Sequence, residues 1–101
     1  MPEPGEKARR RAAAELVGNY HEHELRRLLE HVRDGFARLD AGEIDAFELD
    51  ELIHRYKRSA RELWKFCTLS RPEGAARAIE GARKRDEEVD WWAAGEPRRR
   101  R

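Results

Sequence analysis

Any chemistry in this chain would have to come from its carboxylates, its four histidines and its single cysteine. Glu51-Leu52-Ile53-His54 is a Glu-x-x-His, a spacing that lets one helix offer a carboxylate and an imidazole to the same metal ion. Glu30 lies about as far before a turn expected near residues 41–45 as Glu51 lies after it, so paired hairpins would gather two such sets. Helical phase opposes this. At 100° per residue Glu51 falls opposite the apolar stripe of its own helix, His54 lies only slightly closer, and Glu30 is opposite its stripe too. His21 is the one histidine whose phase places it on an apolar stripe. With Glu24 and groups from a partner helix it could hold a divalent transition metal, although His21 and His23 do not share a face. The plainer expectation is a half-buried histidine with a hydrogen bond, so no metal or cofactor is expected.

Nucleophilic chemistry has less support. Cys67 falls on an apolar stripe beside Trp64 and Phe66, where burial raises a thiol's pKa and hides the sulfur. Ser59 and Ser70 have no histidine at a helical neighbour position, and the chain contains no glycine-rich phosphate loop. The expectation is a protein that is not an enzyme.

Two basic clusters, Arg9, Arg10 and Arg11 near one end and Arg98, Arg99, Arg100 and Arg101 at the other, could neutralise phosphates of a nucleic acid. Trp64 and the pair Trp91-Trp92 are rich in aromatic surface for so polar a chain, and tryptophan is frequent at contact hot spots. Adjacent Trp91 and Trp92 cannot both face inward on one helix, so one is expected to be exposed or to cover a partner.

These residues need elements to position them. Charged residues make up 43% of the 101 residues and apolar ones 39%, yet the net charge is only +1, so self-repulsion does not hold the chain open. Met1 to Glu6 reads as a loose lead-in whose prolines delay the first helix. Ala14, Val17, His21, Leu25, Leu28, Val32, Phe36 and Leu39 then recur in steps of three and four, predicting a helix over 7–40. Gly42 supplies a stop, and Asp45 with Glu48 forms a capping box for a second helix over 46–69. Its stripe is Leu49, Leu52, Ile53, Tyr56, Ala60, Leu63, Trp64 and Cys67. Ser70-Arg71-Pro72-Glu73 reads as a second capping box, opening a weaker helix over 72–93. Residues 94–101 read as a disordered basic tail.

The fold class expected is therefore all-α: one helical domain over 7–93, built as a long hairpin plus a weaker third helix. A hairpin has too little core to stand alone, so completion as a bundle by dimerisation is expected, with Leu49, Ile53, Tyr56, Leu63, Trp64 and Trp92 at the interface. One cysteine excludes an intrachain disulfide, and no stretch approaches the ~20 apolar residues of a membrane span. A soluble cytoplasmic chain is expected, without a membrane partner.

Two resemblances give these expectations a concrete form. The hairpin carrying Glu30, Glu51 and His54 resembles the layout of encapsulated ferritins, which implies a metal-binding hairpin dimer. Over Leu28 to Cys67 the chain resembles the small subunit of exonuclease VII, through Gly42-Glu43 at the turn and the late Cys67, although the spacing from turn to Tyr56 differs. That resemblance implies a helical accessory subunit contacting nucleic acid. The leading expectation is a non-catalytic helical protein that associates with itself or adapts other proteins.

Overall fold

The structure is a computed structural model and describes residues 4–97. It is all-helical, with helices packed on one another: α1 (Pro4–Asp40), α2 (Ala46–Thr68), α3 (Pro72–Lys84) and a single turn, α4 (Trp91–Ala94). Helix α1 begins three residues earlier than its proline-rich start predicts. Pro4 is its first helical residue, a position where a missing N–H costs no hydrogen bond. At 1.5 Å per residue α1 is about 55 Å long, and it sets the 61 Å long dimension of the molecule.

The hairpin turn is built from local signals. Gly42 takes φ +75°, and its N–H donates to the Leu39 carbonyl while that of Glu43 donates to Arg38. This is the Schellman arrangement, in which a left-handed residue lets the chain satisfy the last helical carbonyls as it leaves. Three residues later the Glu48 N–H donates to the Asp45 carboxylate at 2.8 Å, and the Asp45 N–H donates back to Glu48 at 3.2 Å. Ile44 and Leu49, at the two positions of a hydrophobic staple, are both buried.

Helix α3 lies against the N-terminal third of α1, where Ala75, Ala76 and Ile79 join Val17, Leu63 and Cys67 in the core. Arg10 and Glu73 pair across the same contact at 3.4 Å. Small alanines allow α3 to approach closely, and α3 covers the length of α1 that α2 is too short to reach.

The C-terminal part departs from the expected helix over 72–93. Arg71, not Ser70, is the N-cap of α3, and it makes no side-chain capping bond. The helix ends at Lys84 because Asp86 adopts φ 52° and a second Schellman arrangement forms, with Glu87 N–H donating to Ala82 and Asp86 N–H to Arg83. Residues 87–90 are not helical, and Asp90 then caps α4 through the Ala93 N–H. Residues 94–97 are not a loose tail either: Gly95 is buried against α2. Met1 to Glu3 and Arg98 to Arg101 lie outside the described residues.

Candidate functional site

The hairpin has two flanks, and among the described residues only one is covered. On the first, α4 drops into the groove between α1 and α2 and contacts both. The Arg55 Nε–H and the Ser59 hydroxyl both donate to the Trp92 carbonyl at 3.2 Å, and Arg58 Nε donates to the Gly95 carbonyl at 2.8 Å. Three side chains of α2 thus bond carbonyls at the end of α4, of which that of Trp92 also accepts from the Gly95 N–H. The Trp92 ring stacks on His31 with 4.0 Å between centroids and 5° between planes, and the Arg55 guanidinium sits 4.7 Å from the ring centre. Trp91 turns the other way. Its indole N–H donates to the Tyr20 hydroxyl at 2.8 Å, and its ring lies 5.4 Å from that of Phe66.

One of the pair is expected to be exposed or to cover a partner; within the chain neither is fully exposed, and both are half-buried. A long helix lying face-on could bury only one of two adjacent residues. A single turn wedged between two helices has a wall on each side.

Beneath this strap lies Glu24, which is buried although it is charged; its nearest cation is Arg27 at 3.4 Å, with His23 at 3.8 Å. It lines the cavities under residues 87–90, beside Arg27, Glu88, Trp91 and Tyr20. Burial, with the Glu24 charge adding to it, pushes the Cys67 thiol up to about 11. Tyr20 is raised as well, mainly by desolvation, against which the hydrogen bond from Trp91 acts. A thiol held that high stays protonated and makes a poor nucleophile.

Among the described residues the second flank carries no comparable cover. Helical phase places Leu25, Leu29, Val32 and Phe36 of α1 on the side opposite Tyr20 and His31. It places Ile53, Ala60 and Trp64 of α2 opposite Ser59 and Phe66, and because the helices are antiparallel the two sets adjoin. Leu29 is 45% exposed, Phe36 50% and Trp64 52%, while Leu25, Val32, Ile53 and Ala60 are half-buried. Glu22, Leu25, Arg26, Leu29, Glu30 and Arg33 form a shallow depression along this side of α1.

The residues singled out from the sequence are distributed as follows. Leu63 is fully buried, Leu49 is buried, and Tyr56 is half-buried against the core of the same chain. Glu51 and His54 are exposed and border an open groove with His31, Asp34 and Trp92, while Glu30 lines the depression on the other flank. His54 Nδ1 lies 2.8 Å from the Asp50 carbonyl. His21 is half-buried and does not line the cavities that hold Glu24. Among the described residues no three His, Cys, Asp or Glu side chains are grouped so as to hold a metal ion. Arg9, Arg10 and Arg11 are exposed on the first turns of α1. Among the described residues no helix is long and apolar enough to cross a membrane.

Sequence reasoning missed His31, Arg55, Ser59 and Gly95 as the seat of α4. The available signal was Asp90 standing just before two tryptophans and five residues before a glycine, a cap-and-stop pattern for one short turn. A scan against protein-family models, a search of curated proteins and a search of solved structures each gave no significant match.

Proposed function

We propose that the protein is a non-catalytic helical self-association module that pairs through its bare flank to complete a four-helix bundle. The observation that carries this reading is the asymmetry of the hairpin: α3 and α4 cover one side in cis, and Leu29, Phe36 and Trp64 stand half-exposed on the other. A second hairpin laid on that side supplies the apolar surface that the chain's own C-terminal part supplies opposite. Completing the burial of each half-exposed side chain contributes about 1 kcal/mol, and a two-fold axis counts each one twice. Trp64 would be the anchor, since its ring offers the largest apolar area. In this reading Leu49, Leu63 and Tyr56 support the pairing helices from beneath, Ile53 and Trp64 touch the partner, and Trp92 belongs to the strap.

The test is sedimentation velocity of the full chain beside Leu29→Asp combined with Phe36→Asp. The wild type is expected to sediment as a dimer and the variant as a monomer of unchanged helicity by circular dichroism. A wild-type chain that remains monomeric across the concentration range refutes the reading. So does a variant that dimerises normally.

A further inference from the structure

We propose that the outward face of α2 docks the phosphate backbone of a nucleic acid. Residues 52–65 contain five cations, Arg55, Lys57, Arg58, Arg61 and Lys65, against one carboxylate, Glu62. At 100° per residue His54, Lys57, Arg58, Arg61 and Lys65 fall within about 100° of arc, on the side away from the buried Leu49, Leu63 and Cys67. His54, Lys57, Arg58 and Arg61 are exposed, and Lys65 is partly so. From His54 to Lys65 every side chain on that arc is a base. The row from Lys57 to Lys65 runs about 12 Å at 1.5 Å per residue.

The adjoining stretch of the hairpin is charged the opposite way. Residues 22–51 hold ten carboxylates and four arginines. Within residues 22–65 the cations of α2 are thus gathered largely on one face, an arrangement that steers a polyanion to it. Glu62, just outside the arc, pairs with Lys65 at 2.9 Å and offsets one cation of the row; Lys57, Arg58 and Arg61 remain.

The end of the described chain adds a second observation. Arg58 holds the Gly95 carbonyl at 2.8 Å and Arg55 meets Glu96 at 3.6 Å, so the chain is anchored on α2 two residues before Pro97. Arg98, Arg99, Arg100 and Arg101 continue the sequence from that point.

A lipid surface fits less well, because a membrane-lying helix needs a band of apolar side chains along the face it inserts, and on α2 only Phe47 on this arc and Trp64 at its margin stand exposed. Lysine and arginine spaced along a helix recognise phosphates without reading bases, so binding is expected to be independent of sequence. The proposal does not rest on self-association, since the row faces away from the core, with Lys57 beside Trp64 at the border of the bare flank.

The test is fluorescence anisotropy of a short labelled single strand and a short duplex of arbitrary sequence, titrated with the full chain across a salt series. Binding that weakens steeply with salt is expected. Lys57→Gln combined with Arg61→Gln should lower the slope of log affinity against log salt by about 1.4 for the single strand or about 1.8 for the duplex. Arg83→Gln combined with Lys84→Gln, two exposed cations on α3, should leave it unchanged. Absence of salt-sensitive binding to either probe overturns the proposal, as does an equal loss in the α3 variant. It is also overturned if removing Arg98 to Arg101 abolishes binding while the α2 variant binds normally. Binding of anionic vesicles without either oligonucleotide, or of polyglutamate as tightly as the strands, would assign the face to another partner. Circular dichroism confirms that both variants stay folded.

Discussion

Alanine at position 95 and alanine at position 18 should move stability in opposite directions, although each adds one methyl group to a glycine. Gly95 has φ −91°, a value any residue adopts, so backbone freedom is not what requires glycine there. Space is. A β-carbon at 95 would collide with the Ser59 hydroxyl and stand 2.7 Å from the Ser59 nitrogen and 2.8 Å from the Arg55 carbonyl oxygen. Two of those neighbours are helix backbone and cannot rotate aside, so α4 must lift from its groove. Overpacking of this kind costs about 1–3 kcal/mol. The upper end corresponds to release of the strap, with loss of the bonds from Arg55, Arg58 and Ser59 and of the Trp92 stack. Gly18, by contrast, is exposed in the middle of α1, and an added β-carbon meets nothing within 4 Å. There alanine improves helix propensity and stabilises by about 0.5–1 kcal/mol. For a domain of this size each kcal/mol moves the melting temperature by about 4–8 °C. Thermal unfolding followed by circular dichroism reads the sign. Tryptophan emission reads the cause, because lifting α4 exposes Trp91 and Trp92 and shifts emission to the red. A Gly95→Ala protein that melts like the wild type with unshifted emission would refute the account of how α4 docks.

Asp45→Ala removes the carboxylate from the capping box and should destabilise by about 1 kcal/mol, seen as a lower urea midpoint; no change would mean that the turn is held without it. Cys67 gives a pH dependence. Its folded thiol sits at about 11 against an ordinary 9.0. Its contribution to stability is therefore complete below pH 9 and fades as pH climbs toward 11. Urea midpoints of the wild type should fall more steeply over that interval than those of Cys67→Val, and parallel curves would count against burial of the thiol.

The hairpin was legible because its signals are local. Gly42, Asp45 and Glu48 each act on backbone groups within five residues, and the stripes of α1 and α2 are long enough to establish phase. The start of α1 was misjudged because proline excludes a preceding turn of helix, not a following one. The end of α3 was hidden for a different reason. Asp86 in a left-handed conformation does what glycine does at position 42, but aspartate rarely marks that role in a sequence. Ala82, Val89 and Trp92 kept an apparent helical rhythm across the break, although Val89 is 47% exposed and belongs to no helix. The seat of α4 was the least legible part. Its bonds join residues 33 to 71 positions apart in sequence, and no local pattern encodes such pairings. The exposure of Glu30, Glu51 and His54 followed from phase alone, whereas the burial of Glu24 depends on residues 87–90 closing over it.

Docking of the strap is what makes the two sides of the hairpin differ. With α4 lifted away, Tyr20 and Phe66 would be open on one side as Leu29 and Trp64 are on the other. Only when Trp91 and Trp92 arrive does one side close. From that moment the two sides are no longer equivalent: the side of Tyr20 and Phe66 lies under Trp91, while Leu29 and Trp64 stay half-exposed on the other.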